Sequence, residues 1–233
     1  MKYVLITAAA LCVFVSAEEA IAKGEVTGCD TTLRIVDVFN TSERLWLYWQ
    51  NFTIDNTLSN EEQKNYILPP DFDLSESCTF IKKINISNHD FHFWWRTLVQ
   101  GDMLQSHYYG EFFSESGNEE LGSMNVTDLS KQPTESLDEA SSSQATEAEP
   151  FETMQLMFTE GPCSVFFVKS LTEDSEIGCQ LYLRGDAVSQ NPPHNCTEYY
   201  NQHCGAKTVI YKGTCRSEVE EAQEELKRLL QKS

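Results

Sequence analysis

Cysteine is the residue type with the clearest chemical potential in this sequence. Of its 8 cysteines, one lies at position 12 in an apolar N-terminal segment, and the others are Cys29, Cys78, Cys163, Cys179, Cys196, Cys204 and Cys215. Zinc sites built from cysteine commonly contain a Cys-x-x-Cys pair, and the sequence has none. We therefore favour a disulfide framework with one cysteine left over, and a zinc site is the less favoured alternative.

Signatures of catalysis are missing from the sequence. It contains no Gly-x-Ser-x-Gly, no His-Glu-x-x-His and no phosphate-binding glycine loop. His89 and His92 stand three positions apart in a strand-like segment, so they point to opposite faces and are poor joint metal ligands. Cys29 with a distant histidine would imitate a cysteine–histidine nucleophile, but no local motif supports that pair. We expect a protein that is not an enzyme and that needs no cofactor or metal ion.

The acidic surplus of the chain restricts its partners. There are 36 acidic and 17 basic residues, which give a formal net charge of -19. This charge repels phosphate backbones and anionic membrane surfaces, so neither nucleic acid nor membrane is expected as a partner. The same charge attracts cations, including small amines.

The N-terminus has the features of a secretory signal. Lys2 precedes an apolar run at 4–15, and Val15-Ser16-Ala17 fits the small-x-small cleavage pattern, so residues 1–17 are predicted to be a signal peptide. The run is too short to span a membrane, and an N-terminal core helix is the less favoured alternative. Asn-x-Ser/Thr sequons agree with secretion and are predicted glycosylation sites: Asn40, Asn51, Asn85, Asn125 and Asn195.

Strand-like segments make up most of the remaining chain. They follow a short helix predicted at 30–40 with Asp30 as its cap. Aromatic and β-branched residues predict strands at 44–53, 78–87, 89–99, 104–113, 121–126, 151–158, 163–170, 178–184 and 207–212. Asn88-His89 indicates a tight hairpin, and Tyr199 and Tyr200 fall in a short helical segment. The spacing predicts an antiparallel meander that either stacks as a sandwich or closes as a barrel.

Two segments differ from the rest of the predicted domain at 18–216. Residues 114–150 form an acidic, Ser/Thr-rich insertion that is predicted to be partly disordered, and an acidic bait for a basic protein is the less favoured reading. Residues 217–233 are predicted to be an amphipathic helix, with a capping box at Ser217-Glu-Val-Glu220 and Val219 and Ala222 on one face. We expect this helix to pack on the domain in preference to binding a partner.

Four segments near the C-terminus carry a specific cysteine spacing. They read Cys163-Ser-Val-Phe-Phe-Val, Gly178-Cys-Gln-Leu-Tyr-Leu, Asn195-Cys-Thr-Glu-Tyr-Tyr-Asn-Gln-His-Cys-Gly and Val209-Ile-Tyr-Lys-Gly-Thr-Cys215. Together they resemble the tick salivary lipocalins, which include the histamine-binding proteins. The N-terminal part is similar in layout, with a helix, a Trp-rich first strand and a cysteine that opens the second strand.

The resemblance implies an all-β fold with flanking helices, an eight-stranded antiparallel lipocalin-type β-barrel around a ligand cavity. It also implies three bridges and leaves Cys29 unpaired or available for an intermolecular bond; the bridges are Cys163–Cys196, Cys78–Cys215 and Cys179–Cys204. The chain is then expected to be a secreted monomer that sequesters a small host mediator. A biogenic amine such as histamine or serotonin comes first, a leukotriene or fatty acid second, and a host immune or complement protein third.

Strand alternation assigns faces within this implied barrel. If Cys163 and Cys179 point outward to the helices, the alternate positions point into the cavity: Ser164, Phe166, Val168, Gln180 and Tyr182. By the resemblance, histamine-binding members carry Glu-Leu-Trp where this chain has Gln180-Leu-Tyr182. Burying an ammonium without a carboxylate is costly, so this change weakens the case for an amine. Glu111 is a candidate substitute carboxylate, with an exposed strand glutamate as an equal alternative.

Aromatic side chains are further candidates for the cavity wall, because they offer apolar contact and cation–π faces. Core packing is the alternative, and we expect it for at least half of them. Phe93 and Trp95 share one strand face while Trp94 and Arg96 share the other, and the sequence does not decide which face is the cavity. The predicted ligand-binding residues are Trp46, Tyr48, Phe93, Trp95, Tyr109, Glu111, Phe166, Gln180 and Tyr182.

Overall fold

The computed structural model describes residues 33–52, 75–114, 121–130, 148–171 and 177–231. All belong to one unit, Thr32–Ser233. The strands are β1 (Leu45–Gln50), β2 (Glu76–Ile86), β3 (Asp90–Val99), β4 (Asp102–Phe113), β5 (Ser123–Asp128), β6 (Glu152–Glu160), β7 (Cys163–Ser170), β8 (Ile177–Arg184) and β9 (Thr208–Val209). The α-helices are α1 (Ile35–Phe39), α2 (His194–His203) and α3 (Cys215–Leu230), and a 3-10 helix spans Gly185–Ser189. The predicted signal peptide, Cys29 and most of the predicted insertion lie outside the described residues.

Strands β1 to β8 form a closed barrel. Each pairs antiparallel with its neighbours in the chain, and β1 pairs with β8 on one side and with β2 on the other. These pairings confirm the predicted eight-stranded antiparallel barrel, and the turn at Asn88-His89 links β2 to β3 as predicted. β9 adds a short pairing to Trp49 and Gln50 at the end of β1, and it is shorter than the strand predicted at 207–212.

Two apolar layers lie on the two faces of the barrel wall. One takes buried side chains from α1 and from every barrel strand, and these side chains can meet only inside the barrel: Leu45, Leu47, Ile81, Phe91, Phe93, Phe112, Met124, Val126, Met154, Leu156, Phe166, Val168 and Tyr182. The other joins outward side chains of β1, β2, β7 and β8 to α2 and α3. Alternation along each strand separates the two layers.

Helix α1 closes one end of the barrel. The ring of Phe39 stacks on Phe91 and Phe166, with centroids 4.8 and 5.4 Å away. The backbone N–H of Ile35 donates to the carbonyl of Leu121 at 3.0 Å, which ties the start of α1 to the segment before β5. The helix begins later than the predicted 30–40, and its predicted cap lies outside the described residues.

Three disulfides fasten the helical segments to the outer wall. Two connect β7 and β8 to α2 and to the residue that follows it, and the third connects β2 to the first residue of α3. This pairing is the one that the resemblance implies: Cys163–Cys196, Cys179–Cys204 and Cys78–Cys215.

Helix α3 begins earlier than predicted. Its N-cap is Thr214 and its first residue is Cys215, so the predicted capping box at Ser217 is wrong. Instead, the Ser217 hydroxyl lies in the first turn and donates to the carbonyl of Thr214 at 2.9 Å. The Cys215 bridge holds this turn against β2. Val219 and Ala222 are buried in the outer layer, as expected for a helix that packs on the domain.

The side-chain amide of Asn51 makes two hydrogen bonds to the backbone. Its amide nitrogen donates to the carbonyl of Cys204 at 2.9 Å, and its amide oxygen accepts the backbone N–H of Cys179 at 2.6 Å. A glycan on that nitrogen would compete with the first of these bonds, so the fold disfavours modification of Asn51. The amide nitrogen of Asn195 also donates, to Oε1 of Glu160 at 2.9 Å, but Asn195 is exposed. Among the other sequon asparagines, Asn40 and Asn85 are exposed and Asn125 is half-buried.

We expect the Cys78–Cys215 bridge to stabilise the fold more than the Cys179–Cys204 bridge. The two bridges span 137 and 25 residues. Closing the longer loop removes more entropy from the unfolded chain, and losses of roughly 3–5 kcal/mol follow from loop length. Denaturant unfolding of the two double-alanine variants measures the difference. Equal losses would show that packing around the bridges, and not loop length, sets their contribution.

Candidate ligand-binding site

The barrel interior changes character along its axis. Near α1, phenylalanine rings stack on one another, with Phe91 4.6 Å from Phe93 and 6.4 Å from Phe112. Polar inward residues lie at the opposite end, where β1 and β5 end and β6 begins: Gln50, Asp128 and Glu152. Tyr108, Gln180 and Tyr182 also face inward, and Tyr182 lies beside Phe166, which contacts α1.

Glu152 is a desolvated carboxylate on the interior face of β6. It precedes Met154 and Leu156 at two-residue spacing, and it lies opposite Val126 on β5; all three are interior residues. Its side chain keeps some accessible surface, yet burial raises the pKa of its carboxyl from 4.5 to about 7. Both observations fit a carboxyl on the inner face of the wall, near the end of the barrel where β6 begins. Among the described residues, the carboxylate has no hydrogen-bond or ion-pair partner.

Two tyrosine hydroxyls share the interior with Glu152. Burial raises the pKa of Tyr108 to about 12, and the charges of Asp128 and Glu152 add to this effect. Burial and the charge of Glu152 likewise raise the pKa of Tyr182. Both phenols are therefore neutral at physiological pH and can donate hydrogen bonds.

Aromatic rings surround Tyr108 on the interior face. Its ring centroid lies 5.3 Å from Phe151, 5.7 Å from Phe93 and 6.1 Å from Trp95. Phe93 is fully buried, whereas Trp95, Tyr108 and Phe151 are partly buried and keep surface for contact. These rings join the polar residues in what we call the luminal site, defined as Trp95, Tyr108, Phe151, Glu152, Gln180 and Tyr182.

Gln180 and Tyr182 face inward, as alternation from Cys179 predicts. The Tyr182 hydroxyl donates to Oε1 of Gln180 at 2.8 Å, and both side chains are buried. Phe166 packs edge-on against Tyr182, with centroids 5.6 Å apart, which agrees with its predicted inward position. Gln180 therefore contributes a hydrogen-bonded neutral amide to the interior.

Two aromatic residues of β1 lie outside the barrel, so the prediction that they line the interior is wrong. Trp46 and Tyr48 alternate with interior Leu45 and Leu47. Both pack against Tyr211, with centroid distances of 5.4 Å for Trp46 and 5.9 Å for Tyr48. Residues 210–211, which follow β9, cover this part of the wall, so Trp46 is buried like the inward leucines and Tyr48 is half-buried.

The predicted site residues of β4 also lie on the outer face. Tyr109 and Glu111 alternate with Tyr108 and Phe112, which face inward. Glu111 is exposed, so the prediction that it supplies an interior carboxylate is wrong. On the neighbouring strand Trp94 is outward too, and Phe93 and Trp95 are the pair that faces the interior.

The sequence does contain a signal for Glu152. It continues the alternate positions of Met154 and Leu156, so its face follows from theirs once β6 is recognised as a half-apolar strand. Tyr108 has no such signal, because β4 carries aromatic residues on both faces.

Two other features of the described residues bear on function. One group has the spacing of a metal site, formed by Cys78, Cys215 and Glu218, but its two sulfur atoms are joined in a disulfide and provide no thiolate. Within the described ranges, no helix has the length and apolar character that crossing a bilayer requires.

A closed eight-stranded antiparallel barrel, capped by a short helix and flanked by a C-terminal helix, is the fold of the lipocalins. The family model of the tick histamine-binding protein matches residues 39–217. That range is more than half of the chain, and the chain belongs to the tick histamine-binding protein family. The comparison with curated proteins gives no match.

Three solved structures are similar to parts of this chain. Japanin from Rhipicephalus appendiculatus, bound to cholesterol, is 8% identical with a TM-score of 0.44, over 73% of this chain and 93% of Japanin. The siderocalin Ex-FABP is 7% identical with a TM-score of 0.38, over 69% and 78% of the two chains. The bovine lipocalin allergen Bos d 2 is 12% identical with a TM-score of 0.37, over 72% and 84%. These similarities are weak, and the fold assignment depends on the strand pairing and the family match.

We expect Glu152 to make the stability of the unliganded protein depend on pH. Its pKa is about 7 in the folded state against 4.5 as the ordinary value. A raised carboxyl pKa favours the protonated folded state, so the free energy of unfolding falls as pH rises from about 4.5 to about 7. Glu152→Gln should remove this part of the slope, while Glu111→Gln on the outer face should leave it unchanged. Urea unfolding of the three proteins at several pH values tests this, and parallel curves for wild type and Glu152→Gln would contradict it.

Proposed function

We propose that this protein is a secreted scavenger of a small host amine, with histamine or serotonin as the ligand class, and that Glu152 is the counter-ion of the bound ammonium group. One observation carries the proposal: a desolvated carboxylate faces the barrel interior without a partner among the described residues. A cation that enters this space gains a charge partner and removes the cost of the isolated charge.

The neighbours of Glu152 support a ligand that combines a cation with a ring. Trp95, Tyr108 and Phe151 offer flat apolar faces, which bind aromatic rings and attract cations. The neutral hydroxyls of Tyr108 and Tyr182 donate hydrogen bonds to polar ring atoms. Binding by burial and charge pairing needs no reaction, so the proposed role is sequestration and the protein is not an enzyme in this proposal.

Secretion forms part of the same proposal. Three disulfides stabilise the described domain, and disulfides persist in oxidising compartments. The predicted signal peptide and the exposed sequons agree with that setting. A scavenger released at a feeding site would lower the free concentration of host amine and thereby suppress host inflammation.

A lipid mediator is the second candidate ligand, and the stacked aromatic interior near α1 favours it. An apolar tail could pack against such rings. An ionised fatty acid or leukotriene head would, however, meet the negative charges of Glu152 and Asp128 at the opposite end. A host immune or complement protein bound at the outer wall is the third candidate, and nothing in the luminal site argues for it.

We expect Glu152→Gln to lower histamine affinity at least tenfold, which is about 1.4 kcal/mol. The substitution keeps the size of the side chain and removes the charge that pairs with the ammonium. Glu111→Gln is the matched control, because it makes the same chemical change on the outer face of β4. Calorimetric titration of the purified, glycosylated proteins at pH 7.5 measures both affinities.

The outcomes of this titration separate the candidates. Equal affinity for wild type and Glu152→Gln would overturn the assigned counter-ion, and so would an equal loss of affinity in Glu152→Gln and Glu111→Gln. Absence of amine binding in the wild type would overturn the amine proposal, and displacement of a fluorescent fatty acid would then test the lipid alternative.

Amine binding near pH 7 should also release about half a proton, because the amine favours the ionised form of the Glu152 carboxyl, which is half protonated at that pH.

We also expect Gln180→Glu to raise amine affinity. Gln180 is 3% exposed on the interior face and accepts the Tyr182 hydroxyl. A carboxylate at this position keeps that acceptor and adds a second negative charge for the ammonium. Gln155→Glu is the control, because Gln155 alternates with interior Met154 and Leu156 and so lies on the outer face of β6. The same histamine titration measures the change, and unaltered affinity in Gln180→Glu would show that the ligand does not reach β8.

A further inference from the structure

Two histidines meet on the outer face of the barrel, away from the luminal site. His92 of β3 and His107 of β4 are diagonal neighbours, because His92 pairs with Tyr109 and His107 pairs with Trp94. Nδ1 of His92 lies 3.3 Å from Nε2 of His107, and both side chains are half-buried. The two nitrogens are therefore close enough to interact directly or to bind the same ion.

This separation is the one that a shared metal ion requires. Zinc binds imidazole nitrogen at about 2.0–2.1 Å in tetrahedral geometry, which places two nitrogens about 3.3–3.4 Å apart. The observed nitrogens therefore need little movement to hold one ion. Strands β3 and β4 pair along their full length, so the backbone holds both rings in place before any ion arrives.

The surroundings of the pair also suit a cation. Asp90 of β3 pairs with Glu111 of β4 on the same outer face, two residues along each strand from His92 and Tyr109, so negative charge flanks the site. Opposing charge comes from Arg96, which lies over Trp94 at 6.0 Å.

The backbone and ring of His107 and the ring of His92 each have fixed contacts. The backbone N–H of His107 donates to the hydroxyl of Ser130, a residue that follows β5, at 2.7 Å. The ring of Trp94 lies 5.2 Å from that of His107, and the ring of Tyr109 lies 5.0 Å from that of His92. These contacts restrict the rotamers of both imidazoles, which lowers the entropy cost of binding an ion.

We propose that His92 and His107 form a divalent transition-metal site on the outer wall of the barrel, with Zn²⁺ or Cu²⁺ as the ion and water completing its coordination. Imidazole is a favoured ligand of both ions, and the same site should bind Cu²⁺ more tightly than Zn²⁺. The site is separate from the luminal site, since His92 and His107 point away from the interior. It therefore does not depend on the proposed amine function.

The test is calorimetric titration of untagged, glycosylated protein with ZnCl₂ and with CuCl₂ at pH 7.5. We expect one ion per chain, with Cu²⁺ tighter than Zn²⁺. His92→Ala and His107→Ala should each weaken binding at least tenfold. His194→Ala is the matched control, because His194 is an exposed histidine in α2 and should have no effect.

Two further readouts keep the result interpretable. Circular dichroism and the histamine titration should be unchanged in all three variants, which would show that the barrel and the luminal site are intact. The histidine ring signals of His92 and His107 in NMR spectra should shift on addition of Zn²⁺. Zinc binding that survives the His92→Ala/His107→Ala double variant, or no saturable binding at all, would overturn the proposal and leave the pair as an imidazole–imidazole hydrogen bond.

Discussion

The pairing of β1 with both β8 and β2 is the constraint on which the rest of the structure depends. It closes the sheet and thereby creates an inside and an outside for every strand. Leu45 and Leu47 enter the interior layer while Trp46 enters the outer one. The disulfides and helices act on the outside of this closed wall, and α1 closes one end of it. A carboxylate that points inward from any strand is then confined to the interior, where few groups can pair with its charge.

The cysteines made the faces of two strands predictable. A disulfide partner outside the wall requires Cys179 to point outward, and alternation then turns Gln180 and Tyr182 inward without any structural information. The strand positions followed from patterns of aromatic and β-branched residues, which left a sandwich and a barrel open, and the resemblance to the tick salivary lipocalins implied the barrel. Such patterns predict which face of a strand points inward when only one face is apolar or when a disulfide fixes one side chain outward.

Prediction failed where both faces of a strand are buried. In β1 the outward Trp46 and Tyr48 pack under the C-terminal segment, so they are as apolar as the inward leucines and the alternation carries no direction. Tyr108 and Tyr109 present the same ambiguity on β4. Contacts between residues distant in the sequence determine which part of the wall α3 and β9 cover. No local pattern in the strands predicts these contacts.

The charge of the protein acts at two different ranges. Surface acids attract cations over about 8 Å at physiological ionic strength, since salt screens them beyond that distance. Glu152 lies where burial already disfavours its charge, so it gains far more from a bound cation than a surface acid does. In the proposed amine function, the surface charge would affect how often an amine arrives, while Glu152 would affect how long it stays. The outward His92 and His107 lie on the same two strands as Trp95 and Tyr108, yet alternation places the two pairs on opposite faces, so the proposed metal site and the luminal site share no side chain.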